Sequence, residues 1–150
     1  NMSILKLTDN LYIAPQITQA DTAEAARLGI RSVICNRPDG EEPGQPDFAQ
    51  VQQWLAAQGI DDMQHQPVVA PAIQADDAAR FKQLRENSAA PVLAYCRTGT
   101  RSALLWGLEQ AAAGMPVAEI IAAAQQAGVD LNNFTERLQA AAHTDSNKPL

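Results

Sequence analysis

Within the seven residues Cys96-Arg97-Thr98-Gly99-Thr100-Arg101-Ser102 the chain sets a thiol, two guanidinium groups and three hydroxyls around one glycine. An apolar stretch, Pro91-Val92-Leu93-Ala94-Tyr95, leads into the run, and a helical pattern from Ser102 to about Gly114 leads out of it. A strand that ends where a helix begins has the helix's unpaired N–H groups directed back at the junction, which makes the loop between them electropositive. Gly99 lets successive amides converge on one anion, and Arg101 adds a planar fork matched to two oxygens of a phosphate-like group. In such a field a thiol loses its proton readily, with pKa values of roughly 3.5–7.5 instead of about 8.5. These residue types therefore predict an oxyanion cradle, from the amides and side chains of Arg97, Thr98, Gly99, Thr100 and Arg101, with Cys96 as a nucleophile at its floor.

The elements that must hold this loop follow from the pattern before and after it. Ile4–Leu7 and Leu11–Ala14 around Thr8-Asp9-Asn10 predict a hairpin. Thr18 with Asp21 reads as a capping box for a helix over Gln19–Leu28, stopped at Gly29, and Arg31–Cys35 reads as a short buried strand. After a Pro/Gly-rich loop from Arg37, Pro46 suits the first position of a helix that ends at Gly59. Met63–Val69 reads as a strand, Asp76 or Asp77 as the cap of a helix ending near Asn87, and Val117–Gln126 as a helix stopped by Gly128. Asp130 is expected to cap a last helix over Leu131–Ala142, and Thr144–Leu150 to fray. Strands alternating with helices predict one α/β domain over residues 1–150, with a mostly parallel sheet and helices on both faces. Sites in such sheets sit at the carboxyl ends of strands. Cys35, Cys96 and the loop Asn36-Arg37-Pro38-Asp39-Gly40-Glu41 all fall at such ends.

The stretch Leu11–Gly40 (LYIAPQITQADTAEAARLGIRSVICNRPDG) together with Pro91–Ser102 resembles the phosphatase-like domain of the beta-lactamase hydrolase-like bacterial proteins, a branch of the dual-specificity phosphatase superfamily. The resemblance extends through Ala113–Pro116 to Asp130-Leu131. It implies a cysteine-dependent phosphatase that hydrolyses a phosphate monoester through a cysteinyl-phosphate intermediate, with no cofactor. On that reading Cys96 is the nucleophile, the amides of Arg97–Arg101 bind phosphate, Arg101 grips the transferred group, and the Ser102 hydroxyl stabilises the thiolate. The superfamily places five residues between cysteine and arginine, whereas four stand here. That spacing is also the rhodanese spacing, so sulfur transfer through a Cys96 persulfide stays open, as does a non-catalytic oxyanion-binding module. The leaving-group acid expected after the strand ending at Val69 falls on Ala70, which leaves Asp76, Asp77 and Asp39 as candidates. Each has a structural alternative: a helix cap for the first two and a Pro-Asp-Gly turn for the third. Arg37 is a candidate for lining the mouth. From its strand position, Cys35 could form a reversible disulfide with Cys96.

Net charge of −6 with 5% aromatic residues argues against a nucleic-acid surface, which needs a basic field or stacking platforms. The expected partner is a phosphorylated substrate. Apolar runs stay short of a membrane span, and the first residues lack the charged-then-apolar pattern of a leader, so a cytoplasmic location is expected. His65 and His143 have no metal-ligand spacing, so no metal is expected. Trp54 and Trp106 read as core.

Overall fold

The computed structural model describes residues 3–146. Its first strands, β1 (Leu5–Thr8) and β2 (Leu11–Ala14), form the predicted antiparallel hairpin. Helix α1 (Gln19–Arg27) carries the predicted capping box: the Thr18 hydroxyl accepts the Asp21 N–H, and the Asp21 carboxylate accepts the Thr18 N–H. There follow β3 (Ser32–Cys35), α2 (Phe48–Ala57), β4 (Asp62–His65), α3 (Ala75–Glu86), β5 (Val92–Tyr95), α4 (Thr100–Ala112), α5 (Val117–Gln126) and α6 (Thr135–Ser146).

The five strands lie in the order β1-β2-β5-β3-β4, and every pairing beyond the hairpin is parallel. This is the expected α/β architecture. Side chains alternate across the sheet, and the alternation splits the core in two. Val33, Cys35, Leu93 and Tyr95 pack with Ala25 of α1 and Val51 and Leu55 of α2. Ile13, Ile34, Val92 and Ala94 pack on the opposite face with Phe81 of α3, Leu104 and Leu105 of α4, Ile120 of α5 and Leu138 of α6.

Helix α4 is the axis of that second layer. Most of its residues from Ser102 to Leu108 are apolar, and all of them are buried, as a helix covered on every side requires. Gly107 makes this covering achievable. A Cβ there would come within 3.0 Å of Ile120 and 3.1 Å of Leu138, so the missing side chain lets α5 and α6 close on α4.

Several boundaries differ from expectation, each for a local reason. Helix α2 starts after Asp47, whose carboxylate accepts the Gln50 N–H, so Pro46 lies outside the helix. Strand β4 stops at His65, because the chain beyond it leaves the ladder for a 3₁₀ turn at Ala70–Ala72 around Pro71. Gln74, not Asp76 or Asp77, is the residue that precedes α3. Asp130 accepts the Asn132 N–H and opens a 3₁₀ turn, so the last α-helix begins only at Thr135. That helix runs on to Ser146, through part of the segment expected to fray; residues 147–150 lie outside the described ones.

Candidate functional site

Because β2, β3, β4 and β5 run parallel, their carboxyl ends share one edge of the sheet, and the four loops leaving them meet there. The loop after β5 is the tightest. Cys96 is fully buried at its floor, and Gly99 doubles back to donate its N–H to Cys96 Sγ at 3.1 Å. This turn requires glycine: φ at Gly99 is +89°, and a Cβ would lie 3.2 Å from Ile13 Cγ2. Helix α4 begins at Thr100, two residues before the expected start at Ser102. Thr100, Arg101 and Ser102 therefore form its first turn, where N–H groups have no intrahelical partner. Thr98 and Thr100 share a hydroxyl hydrogen bond of 3.0 Å, Arg97 is exposed at the rim, and its carbonyl accepts the Gln16 N–H at 3.1 Å.

Arg101 reaches across three loops. Nη1 donates to the Val68 carbonyl at 2.9 Å and to Glu41 Oε2 at 2.8 Å, while Nη2 donates to Glu41 Oε1 at 2.9 Å. Its guanidinium is held in the charged form first by Glu41. Thiol and fork stand at the two ends of one short loop, between β5 and α4. The fork borders a cavity of about 390 Å³ lined by Glu41, Glu42, Arg97 and Arg101. A larger cavity, of about 710 Å³, lies between α3, α4 and α6.

Arg37 is not a solvated loop arginine. It is 3% exposed, with Nε on Glu41 Oε1 at 2.8 Å, Nη1 on Gln16 Oε1 at 2.9 Å and Nη2 on Glu42 Oε1 at 2.6 Å. Arg101 and Arg37 together lower the Glu41 carboxyl to about 2, the Arg101 hydrogen bond contributing most.

Ser102 is fully buried in the first turn of α4. Its Oγ donates to Asn36 Oδ1 at 2.7 Å, and the orientation of the Asn36 amide is set because Nδ2 donates to the Gln66 carbonyl at 3.1 Å. The Ser102 proton is committed to Asn36 and not to the Cys96 sulfur. Asn36 is fully buried, and its own backbone joins Tyr95 and Val68, so one side chain ties together the loops after β3, β4 and β5. Sequence reasoning passed over it. The available signal was a polar residue directly after a strand whose four residues are all apolar or small.

Cys35 and Cys96 are both free thiols in this structure, and their strand positions differ. Cys35 lies opposite Tyr95 and shares its face toward α1 and α2, whereas Cys96 follows Tyr95 and turns the other way. The Cys35 thiol donates to the Arg37 carbonyl at 3.3 Å, and burial pushes its pKa up to about 11.

All three candidate acids stand at helix starts. Asp39 accepts the Phe48 N–H at 2.9 Å and holds the start of α2. Asp77 accepts the Gln74 N–H at 2.8 Å at the start of α3, and Asp76 lines the cavity among α3, α4 and α6. Ala70, at the position expected for the acid, opens the 3₁₀ turn, and its carbonyl is taken by Arg137.

The family model described as "Beta-lactamase hydrolase-like protein, phosphatase-like domain" matches residues 3–113. The chain belongs to this family. This phosphatase-like domain is 37% identical over 113 residues to a beta-lactamase hydrolase-like protein of Agrobacterium fabrum, covering 75% of the chain and 26% of the relative. The chain thus spans about a quarter of that relative's length. A candidate phosphatase of Neisseria meningitidis, solved by crystallography, is 58% identical, with a TM-score of 0.92 over 94% of this chain and 99% of that one. The fold is shared more widely. TpbA of P. aeruginosa, crystallised as a Cys-to-Ser variant with pTyr, superposes with a TM-score of 0.68 at 16% identity over 97% of this chain and 91% of its own. The phosphatase-like domain thus has cysteine-dependent phosphatases among its structural neighbours. Among its described residues no helix is long and apolar enough to cross a membrane.

Proposed function

We propose that the phosphatase-like domain hydrolyses phosphate monoesters by cysteine chemistry. The observation that carries this reading is the placement of Cys96 Sγ under the Gly99 N–H, with Arg101 in the first turn of the helix that follows. The Cys96 thiolate attacks phosphorus, an S–P bond forms, and the ester P–O bond breaks, leaving an alkoxide or phenoxide that takes a proton from water. Water then attacks the cysteinyl phosphate, releasing inorganic phosphate and regenerating the thiolate. The loop amides and Arg101 hold the three equatorial oxygens while charge builds on them.

The positions of the carboxylates bear on substrate scope. Asp39, Asp76 and Asp77 hold helix starts or lie elsewhere, and Glu41 is ionised by its arginines. General acid catalysis is worth about 10²- to 10⁴-fold, so rates should be appreciable for good leaving groups and poor for alkyl phosphates. A phosphorylated small molecule or protein with an aryl ester fits this best. Hydrolysis of a series of aryl phosphates, with vanadate inhibition, tests the reading; rates at background across the series would sink it. The four-residue spacing from Cys96 to Arg101 favours one alternative, sulfur transfer through a Cys96 persulfide. Thiosulfate-to-cyanide transfer and a one-sulfur mass gain on Cys96 would mark it.

A further inference from the structure

The fork that should receive an oxyanion already holds one. Both carboxylate oxygens of Glu41 sit on the two Nη atoms of Arg101, at 2.8 and 2.9 Å. A carboxylate presents to a guanidinium the same two-oxygen edge as a phosphate monoester. Glu41 comes from the loop after β3, and that loop is anchored from behind by buried Arg37, which shares Glu41 Oε1 and also holds Glu42 and Gln16. Releasing Arg101 would therefore leave the Arg37–Glu41 contact in place, so a side-chain swing suffices and the loop need not unfold. The charges agree with this arrangement. Arg37 and Arg101 are matched by Glu41 and Glu42, and Arg97 is the cation of the mouth that has no ion pair among the described residues.

We propose that Glu41 is a displaceable internal ligand of the oxyanion site, competing with incoming phosphate for the two Arg101 Nη groups. Entry of substrate transfers Glu41 to Arg37 alone; its return to Arg101 helps expel inorganic phosphate after turnover. The loop from Arg37 to Gln45 thereby sets how tightly any oxyanion binds. This rests on the phosphatase reading above, and the two can fail separately.

The test is calorimetric titration of inorganic phosphate into the wild-type protein, Glu41→Gln and Glu41→Ala at low salt, with vanadate in parallel and a melting curve for each protein. Both variants should bind phosphate about tenfold more tightly, the equivalent of about 1.4 kcal/mol. Unchanged or weaker binding overturns the proposal and makes Glu41 an aligning group for Arg101. A phosphate soak of wild-type crystals gives a second readout that needs no variant. Phosphate should sit on Arg101 with the Glu41 carboxylate moved off it and still on Arg37, and phosphate bound with both Glu41–Arg101 bonds intact overturns the proposal. Failure of all three proteins to bind phosphate or vanadate overturns the phosphatase reading and this inference with it, whereas wild-type binding that loss of Glu41 does not strengthen overturns this inference alone.

Discussion

Cys35 and Cys96 stand at the ends of neighbouring parallel strands, both buried, and differ in almost everything that decides reactivity. Cys35 lies in the layer toward α1 and α2, beside Tyr95, and gives its proton to the Arg37 carbonyl; burial pushes its pKa up to about 11. Cys96 is one residue out of step with that register and receives the Gly99 N–H. Burial by itself protects a thiol in the neutral form. What distinguishes Cys96 is the Gly99 N–H that a short loop aims at its sulfur, and a single step along a strand separates it from the register of Cys35.

The largest expected effect separates the two cysteines directly. Cys96→Ser should lower aryl phosphate hydrolysis by roughly 10⁴-fold or more, as loss of a nucleophile does. Cys35→Ser, whose hydroxyl can still donate to the Arg37 carbonyl, should leave initial rates close to wild type; a comparable loss in both would erase the distinction.

Gly99→Ala attacks the donors instead of the sulfur. A side chain in the left-handed region costs about 1–2 kcal/mol. For a protein of this size that lowers Tm by about 2–4 °C per kcal/mol. Displacing the loop should also reduce kcat by roughly 10²-fold. Thermal melts and kinetics read both, and a normal kcat at lowered Tm would remove the Gly99 N–H from the argument.

Asp39→Ala tests whether the loop after β3 contributes chemistry or only shape. Loss of its bond to the Phe48 N–H should cost about 1 kcal/mol, while kcat for aryl phosphates stays near wild type. A fall of 10²-fold or more, largest for poor leaving groups, would make Asp39 the acid.

The smallest effect concerns pH. The folded-state pKa of Cys35 lies above its value of 9.0 in the unfolded chain, so the folded protein keeps its proton where the unfolded chain has lost it. That contribution to stability is complete below pH 9 and is lost as pH rises through about 11. Tyr95, also raised chiefly by burial, adds in the same direction. Urea midpoints between pH 8 and 11 should fall, and fall less steeply in Cys35→Ser; parallel curves would show that Cys35 does not titrate with folding.

Much of this was readable from local pattern, for identifiable reasons. The Thr18/Asp21 capping box, the hairpin around Thr8-Asp9-Asn10 and the bounds of α5 depend on residues within a few positions of one another, and they stand where the sequence pattern placed them. The glycine turn at Cys96 was readable for the same reason: Cys96 and Gly99 are neighbours along the chain. Asn36 was missed because its partners, Gln66 and Ser102, are 30 and 66 residues away. The Glu41–Arg101 pair, 60 residues apart, left no periodic trace either. Asp76 and Asp77 were rightly read as belonging to a helix start, but their distance from the loop depended on how α3 packs against α4.

The chain's own order of residues thus determines the alternation of strands and helices, the glycine turn, and a thiol followed by a guanidinium fork, because short-range sterics and hydrogen bonding suffice for each. The tertiary structure alone decides which cysteine faces the donors, where the Ser102 proton goes, and which carboxylate occupies Arg101. Those outcomes depend on strand register and on charges that meet only when four loops converge at one edge of the sheet.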